Sequence, residues 1–200
     1  MILYYSPQTR AFPVLWALEE LGADYELKTV DLGRGDQKTD DYRRLNPMMK
    51  VPALADGDTV VTEAGAILLY LAEKDSNSSL LPQRGDPAYA ACLKWLFFVG
   101  SNLEPAMGER FQGWLPNPYY NGWGDFDRVQ NVMAEALAEG PWLLGAQFTV
   151  ADIYLAADLR IARAGTLIAA ELEPFAGYLD RIGSRSAFIR ASEIDSSAAA

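Results

Sequence analysis

The chain has 200 residues, half of them hydrophobic and 22% charged, with a formal net charge of −10; that is enough for one large domain or two small ones with a real core. The negative balance repels phosphate backbones and anionic lipid surfaces, and no apolar run reaches ~18 residues, so neither nucleic acid nor a membrane span is expected. With no His and a single Cys, the sequence excludes Ser-His-Asp and Cys-His chemistry, nearly every zinc or facial-triad iron site, internal disulfides and Cys-x-x-Cys redox pairs. No metal is expected.

Along the first 75 residues strand and helix signals alternate. Ile2 to Tyr5 is a β-prone run. Val14 to Leu21 is amphipathic, and Gly22 stops it as a C-terminal cap. Tyr25 to Val30 reads as a strand, and Asp40 to Leu45 as a short helix before Asn46-Pro47. Two strands flank the turn Asp56-Gly57-Asp58, a hairpin signal, and Glu63 to Lys74 carries Ile67, Leu68, Tyr70 and Leu71 at helical spacing. The order βαβαββα implies a small mixed sheet covered by helices over residues 1–76.

The segment 77–87, with breakers at Pro82, Gly85 and Pro87, reads as a linker. From 88 to 190 the patterns are helical, over about 88–110, 125–139, 149–164 and 174–190. Cys92 lies in an apolar helical stretch and reads as a small core residue. In Phe148-Thr149-Val150-Ala151-Asp152-Ile153, Thr149 can cap a helix while Asp152 reaches back to it. Residues 191–200 are small and polar, and read as a frayed, disordered tail. Without a signal-peptide pattern at Met1 to Tyr5, and with one unpaired thiol, the chain suits a reducing cytoplasm.

Two stretches carry the chemistry. Lys50-Val51-Pro52-Ala53-Leu54 is a turn entering a strand, where Pro removes one backbone donor and can adopt a cis bond. Val60 to Ile67 is a strand that ends near Glu63 and opens a helix, whose first N–H groups are available to an anion. Together they form a cradle for a small molecule.

These residues, taken in order, resemble a cytosolic glutathione S-transferase of bacterial type. The resemblance rests on Thr9-Arg10-Ala11-Phe12 leading into Val14 to Gly22, and on Asn46 to Leu54. It continues through Thr62 to Ile67, Trp95 to Phe98 with Leu103 to Ala106, and Phe148 to Ile153. It implies a thioredoxin-like domain followed by an all-helical domain, in a homodimer. The interface would come from helices 63–74 and 88–110, where Tyr70 and Trp95 belong either to it or to the core.

The resemblance also implies a site for glutathione as co-substrate. Its cysteinyl part would pair with the backbone of Val51, before a cis Pro52, as a miniature strand addition. Glu63 would accept from the γ-glutamyl ammonium, the N–H of Ala64 or Gly65 would hold that end's carboxylate, and Lys50 would meet the glycyl carboxylate. Lys50 reads equally well as a solvated surface lysine. At Ala64 many relatives carry a Ser, and the loss of its hydroxyl weakens this end. For thiol activation Thr9 stands first and Ser6 second, with Arg10 adding positive charge; a Cys in this place is excluded by the sequence from Tyr4 to Pro13. Both hydroxyls could instead only cap the helix, and Tyr5 reads as a packed aromatic. Met107 and Phe111 are the candidates for a hydrophobic substrate pocket, with the aromatic stretch Phe111 to Phe126 as its wall or as a plain helix connection.

The expected function is conjugation of the glutathione thiolate to a hydrophobic electrophile. A non-catalytic binding protein of the same fold and a specialised glutathione-dependent lyase or dehalogenase are the alternatives.

Overall fold

A computed structural model describes residues 1–75, 79–168 and 173–199. The chain forms two compact units, Met1–Ser76 with Arg185–Ala200 and, between them in sequence, Asn77–Ser184. The first two residues of the expected linker, 77 and 78, lie outside the described residues.

The first unit is built on a four-stranded mixed sheet of β1 (Ile2–Tyr5), β2 (Glu26–Thr29), β3 (Ala53–Asp56) and β4 (Thr59–Thr62), in the order β2-β1-β3-β4. Strands β1 and β2 run parallel, while β3 is antiparallel to both β1 and β4. Alternation along β1 buries Leu3 and Tyr5 completely, the period-2 pattern of a sheet facing helices. The helices are α1 (Phe12–Leu21), α2 (Asp40–Leu45) and α3 (Ala64–Lys74). Helix α1 buries every residue from Phe12 to Leu18 and ends at Gly22, whose φ of 57° lets its N–H return to the carbonyls of Glu19 and Leu18. Thr39 caps α2 by accepting the Tyr42 N–H at 3.3 Å. The hairpin turns through Gly57 and Asp58 as the sequence indicates, and Asp56 at its base accepts from Tyr70 (2.7 Å) and Lys74 of α3.

The second unit is helical: α4 (Pro87–Phe98), α5 (Glu104–Gln112), α6 (Phe126–Ala138), α7 (Val150–Ala164) and α8 (Phe175–Gly183). Asp86 caps α4 through the Ala88 N–H at 2.8 Å. Helices α4 and α5 are joined without a break by a π-helical turn, Val99–Leu103. Pro105 explains the widening, because it lacks the N–H that would bond to Ser101 and its ring crowds that carbonyl. Helix α7 is buried along most of its length, and its start is as the sequence predicts: the Asp152 carboxylate accepts the Thr149 N–H at 2.9 Å. Cys92 is fully buried, and burial pushes its thiol up to about 11. Trp95 is also buried within this unit. Among the described residues no helix is long and apolar enough to cross a membrane.

The expected helix 174–190 is two helices, and the expected frayed tail 191–200 is helical to Ala198, in α9 (Ser186–Ala198). The break falls at Ser184 and Arg185, where Arg185 turns extended (φ −74°, ψ 127°). From there α9 belongs to the first unit. Arg185 grips Glu20 of α1 through two bonds of 2.6 and 2.8 Å, Arg190 reaches Glu19 at 2.9 Å, and Phe188 packs edge-on against Trp16 and Phe12. Packing and paired charge hold a segment whose composition alone would leave it loose.

Candidate active site

Sheet register brings the sequence-predicted pieces of the first unit to one end of the sheet. Tyr4 pairs with Ala53, so β1 leaves toward Ser6 beside the entry of β3, where Val51 and Pro52 lie. Ala53 pairs with Thr62, so β4 leaves toward Glu63 and Ala64 on the other side of that entry. Three strand ends thus stand side by side. At ~4.8 Å between neighbours, the outer two are roughly 10 Å apart, the reach of an extended tripeptide.

The central piece presents backbone. The Val51–Pro52 peptide is cis. Neither the N–H nor the C=O of Val51 bonds to any described residue. The turn before it is firmly held: the Lys50 carbonyl accepts from the Tyr42 hydroxyl (2.7 Å) and the Asn46 side-chain amide (2.8 Å), and the Asn46 carbonyl oxygen of that amide accepts the Met48 N–H (3.0 Å). Lys50 itself is exposed, and its ammonium meets no described partner.

The piece at β4 presents charge and donors. Glu63 is exposed and has φ 68° and ψ 120°, a left-handed value rare for a side-chain-bearing residue. Such backbone costs about 1–3 kcal/mol and is held where function requires it. It also ends the strand and opens α3, leaving the N–H groups of Ala64, Gly65 and Ala66 outside the helix's own ladder. Ala64 is buried at the first helical position.

At the end of β1 the two candidate hydroxyls differ. Thr9 donates its hydroxyl proton to the Ser6 carbonyl at 2.6 Å and accepts the Ala11 N–H at 3.2 Å, so it closes the turn into α1. Ser6 is 7% exposed, and its hydroxyl bonds to no described residue. Arg10 is half-buried one residue before the N-cap of α1. Tyr5 is fully buried, and its hydroxyl donates to Asp195 of α9, which also accepts the Gln8 N–H at 3.1 Å. Sequence reading missed Asp195. The available signal was the four-residue spacing of Ala187, Ala191 and Asp195 on one helix face.

In the second unit Met107 is fully buried, while Phe111 is half exposed and lies against Gly165. A cleft of about 610 Å³ between α5, α6 and their connection is lined by Arg110, Trp114, Pro116 and Phe126, among others. Buried Glu109 fixes the connection by accepting from Asn121 (3.0 Å) and Trp123 (3.3 Å), leaving Trp114, Tyr119 and Tyr120 exposed. Among the described residues no group of His, Cys, Asp and Glu side chains is arranged to hold a metal ion.

Residues 1–73 match the model of the glutathione S-transferase N-terminal domain. The chain is 31% identical to glutathione S-transferase GstA of Escherichia coli O157:H7 over 92% of its own length and 94% of the relative's. It is 34% identical to the disulfide-bond oxidoreductase YfcG of Escherichia coli K12, over 76% and 75%. Among solved structures it is similar to a sphingomonad glutathione S-transferase in complex with glutathione, with a TM-score of 0.79 at 31% identity over 98% and 99% of the two chains. Sequence and fold agree: the chain belongs to the glutathione S-transferase family.

Proposed function

We propose that this protein binds glutathione along the three strand ends of its first unit and transfers the glutathione thiolate to an apolar electrophile. The observation that carries this reading is a line of groups that meet no partner among the described residues: the Val51 backbone at its centre, Glu63 and the first N–H groups of α3 at one side, and the Ser6 hydroxyl at the other. Val51 N–H and C=O pair with the cysteinyl backbone. Glu63 accepts from the γ-glutamyl ammonium, and the Ala64 and Gly65 N–H groups donate to its carboxylate. Lys50 takes the glycyl carboxylate. The Ser6 hydroxyl, whose proton no described residue accepts, donates to the thiolate, and Thr9 sets the turn that aims it. The positive end of α1 and Arg10 favour the charged sulfur. The thiolate then attacks the electrophilic carbon, a carbon–sulfur bond forms and the leaving group departs with the bonding pair. Such conjugation suits a cytoplasmic detoxifying enzyme acting as a homodimer.

The test compares Ser6→Ala with Thr9→Val, reading the pH at which bound glutathione ionises from its ultraviolet thiolate absorbance. Ser6→Ala is expected to raise that pH by about one or two units, the loss of one bond to a charged group. Thr9→Val should raise it less. The reverse order would return the role to Thr9.

Similarity to a disulfide-bond oxidoreductase favours a second reading, in which the same thiolate attacks a disulfide sulfur, forms a mixed disulfide and releases the other thiolate. The chain's single thiol is buried, so a second glutathione would have to resolve that mixed disulfide. Turnover of a small organic disulfide with release of oxidised glutathione, and none of an activated aryl halide, would select this reading.

A further inference from the structure

The buried carboxylate of Asp195 has no place in the reaction outlined above. It is 6% exposed, and a buried carboxylate persists where donors satisfy it. One of its oxygens, Oδ1, receives both the Tyr5 hydroxyl and the Gln8 N–H. These two residues bracket Ser6. Within the bracketed stretch the Tyr5 carbonyl also accepts the Val30 N–H at 2.7 Å, and the Ser6 carbonyl accepts the Thr9 hydroxyl. Gln8 has φ 57°, a left-handed conformation that something must hold. Helix α9 is in turn fixed on α1 by Arg185 with Glu20 and by the buried Ala187 and Ala191, two turns and one turn before Asp195.

We infer that Asp195 is a positioning residue of the thiol site: by holding Tyr5 and Gln8 on one oxygen, the C-terminal helix fixes the Ser6 hydroxyl where it can donate to the glutathione sulfur. This rests on the assignment of Ser6 in the proposed function. Charge and geometry act in opposite directions here. A negative charge near the sulfur disfavours the thiolate, so if Asp195 acted through its charge its removal would lower the ionisation pH of bound glutathione. If it acts by holding the loop, removal raises it.

The experiment reads that pH, together with kcat and KM for an activated aryl halide, in the full-length protein and its variants. Asp195→Ala is expected to raise the ionisation pH by about one unit and lower kcat about tenfold, with a smaller effect on KM for glutathione. Asp195→Asn keeps an oxygen acceptor and should stay near wild type. Arg190→Ala removes the exposed Arg190–Glu19 pair while the Arg185–Glu20 pair and the buried face keep α9 on α1, so it should change neither. Tyr5→Phe keeps the buried ring and removes one anchor, so it should give a smaller upward shift even where Asp195→Ala does not fold. An unchanged or lowered ionisation pH in both Asp195→Ala and Tyr5→Phe overturns the inference, as does an equal shift in Arg190→Ala. If wild-type glutathione binds but ionises as it does free in solution, the thiol assignment fails first and this inference with it.

Discussion

Replacing Asp152 by Asn tests the organisation of the helical unit, with a pH dependence of unusual sign. The Asp152 carboxylate is fully buried and receives four donors: the N–H of Leu143 (2.9 Å) and the Tyr178 hydroxyl (3.2 Å) on one oxygen, the Thr149 N–H (2.9 Å) and hydroxyl (3.3 Å) on the other. Asn retains one oxygen and turns an NH₂ toward a backbone N–H, leaving that donor unpaired at a cost of about 1–3 kcal/mol. The pH dependence follows from the carboxyl's pKa. Burial raises it to about 6, against the lowering effect of the donors from Leu143, Thr149 and Tyr178. A raised folded-state pKa means that the folded protein holds the proton more tightly than the unfolded chain, so this group's contribution is greatest at acid pH and is lost as pH rises through about 6. Between pH 7.5 and pH 5.0 the wild type should therefore gain about 1.4 kcal/mol from this carboxyl, and the Asn variant should not. Urea denaturation followed by far-ultraviolet circular dichroism at both pH values measures the difference. The Asn substitution should cost more at pH 5.0 than at 7.5. An equal cost, or a greater one at pH 7.5, refutes the assignment of a raised pKa to Asp152.

Two further substitutions probe the first unit. Ala64→Ser adds a hydroxyl at the first position of α3, where the γ-glutamyl carboxylate is placed, and should tighten glutathione binding by roughly ten- to a hundredfold, for about 1.5–3 kcal/mol per bond to a charged group; an unchanged or weaker dissociation constant by calorimetry counts against that placement. Gly22→Ala meets no atom within 4 Å, so its cost is conformational, set by φ 57°. It should lower stability by about 1 kcal/mol in chemical denaturation, and a neutral result would mean that the left-handed cap contributes nothing.

Most of the first unit was legible because its punctuation is chemical. Gly22 ends α1, and the Asp56-Gly57-Asp58 turn fixes the hairpin register that brings Val51 and Glu63 to one end of the sheet. The start of α7 was legible in Thr149 and Asp152 for the same reason. The C-terminal helix was not. Its last residues, from 191, are mostly small and polar, and what orders the helix lies far away in sequence, in Glu19, Glu20, Phe12 and Trp16 of α1. The choice between Ser6 and Thr9 was also closed to sequence. The resemblance ranks Thr9 above Ser6, and the proposal for Ser6 draws on the bond from Thr9 to the Ser6 carbonyl, which sequence does not show. Helical periodicity marks Met107 as part of an apolar face without saying whether that face meets a neighbour or a cavity.

The central claim is that three strand ends hold glutathione with its thiol ionised. Calorimetric titration of glutathione into the wild-type protein, with thiolate absorbance of the complex followed against pH, tests it most directly. Saturable binding with the thiol ionising clearly below free glutathione is the predicted result. No binding at millimolar glutathione, or a bound thiol that ionises like the free one, contradicts the account.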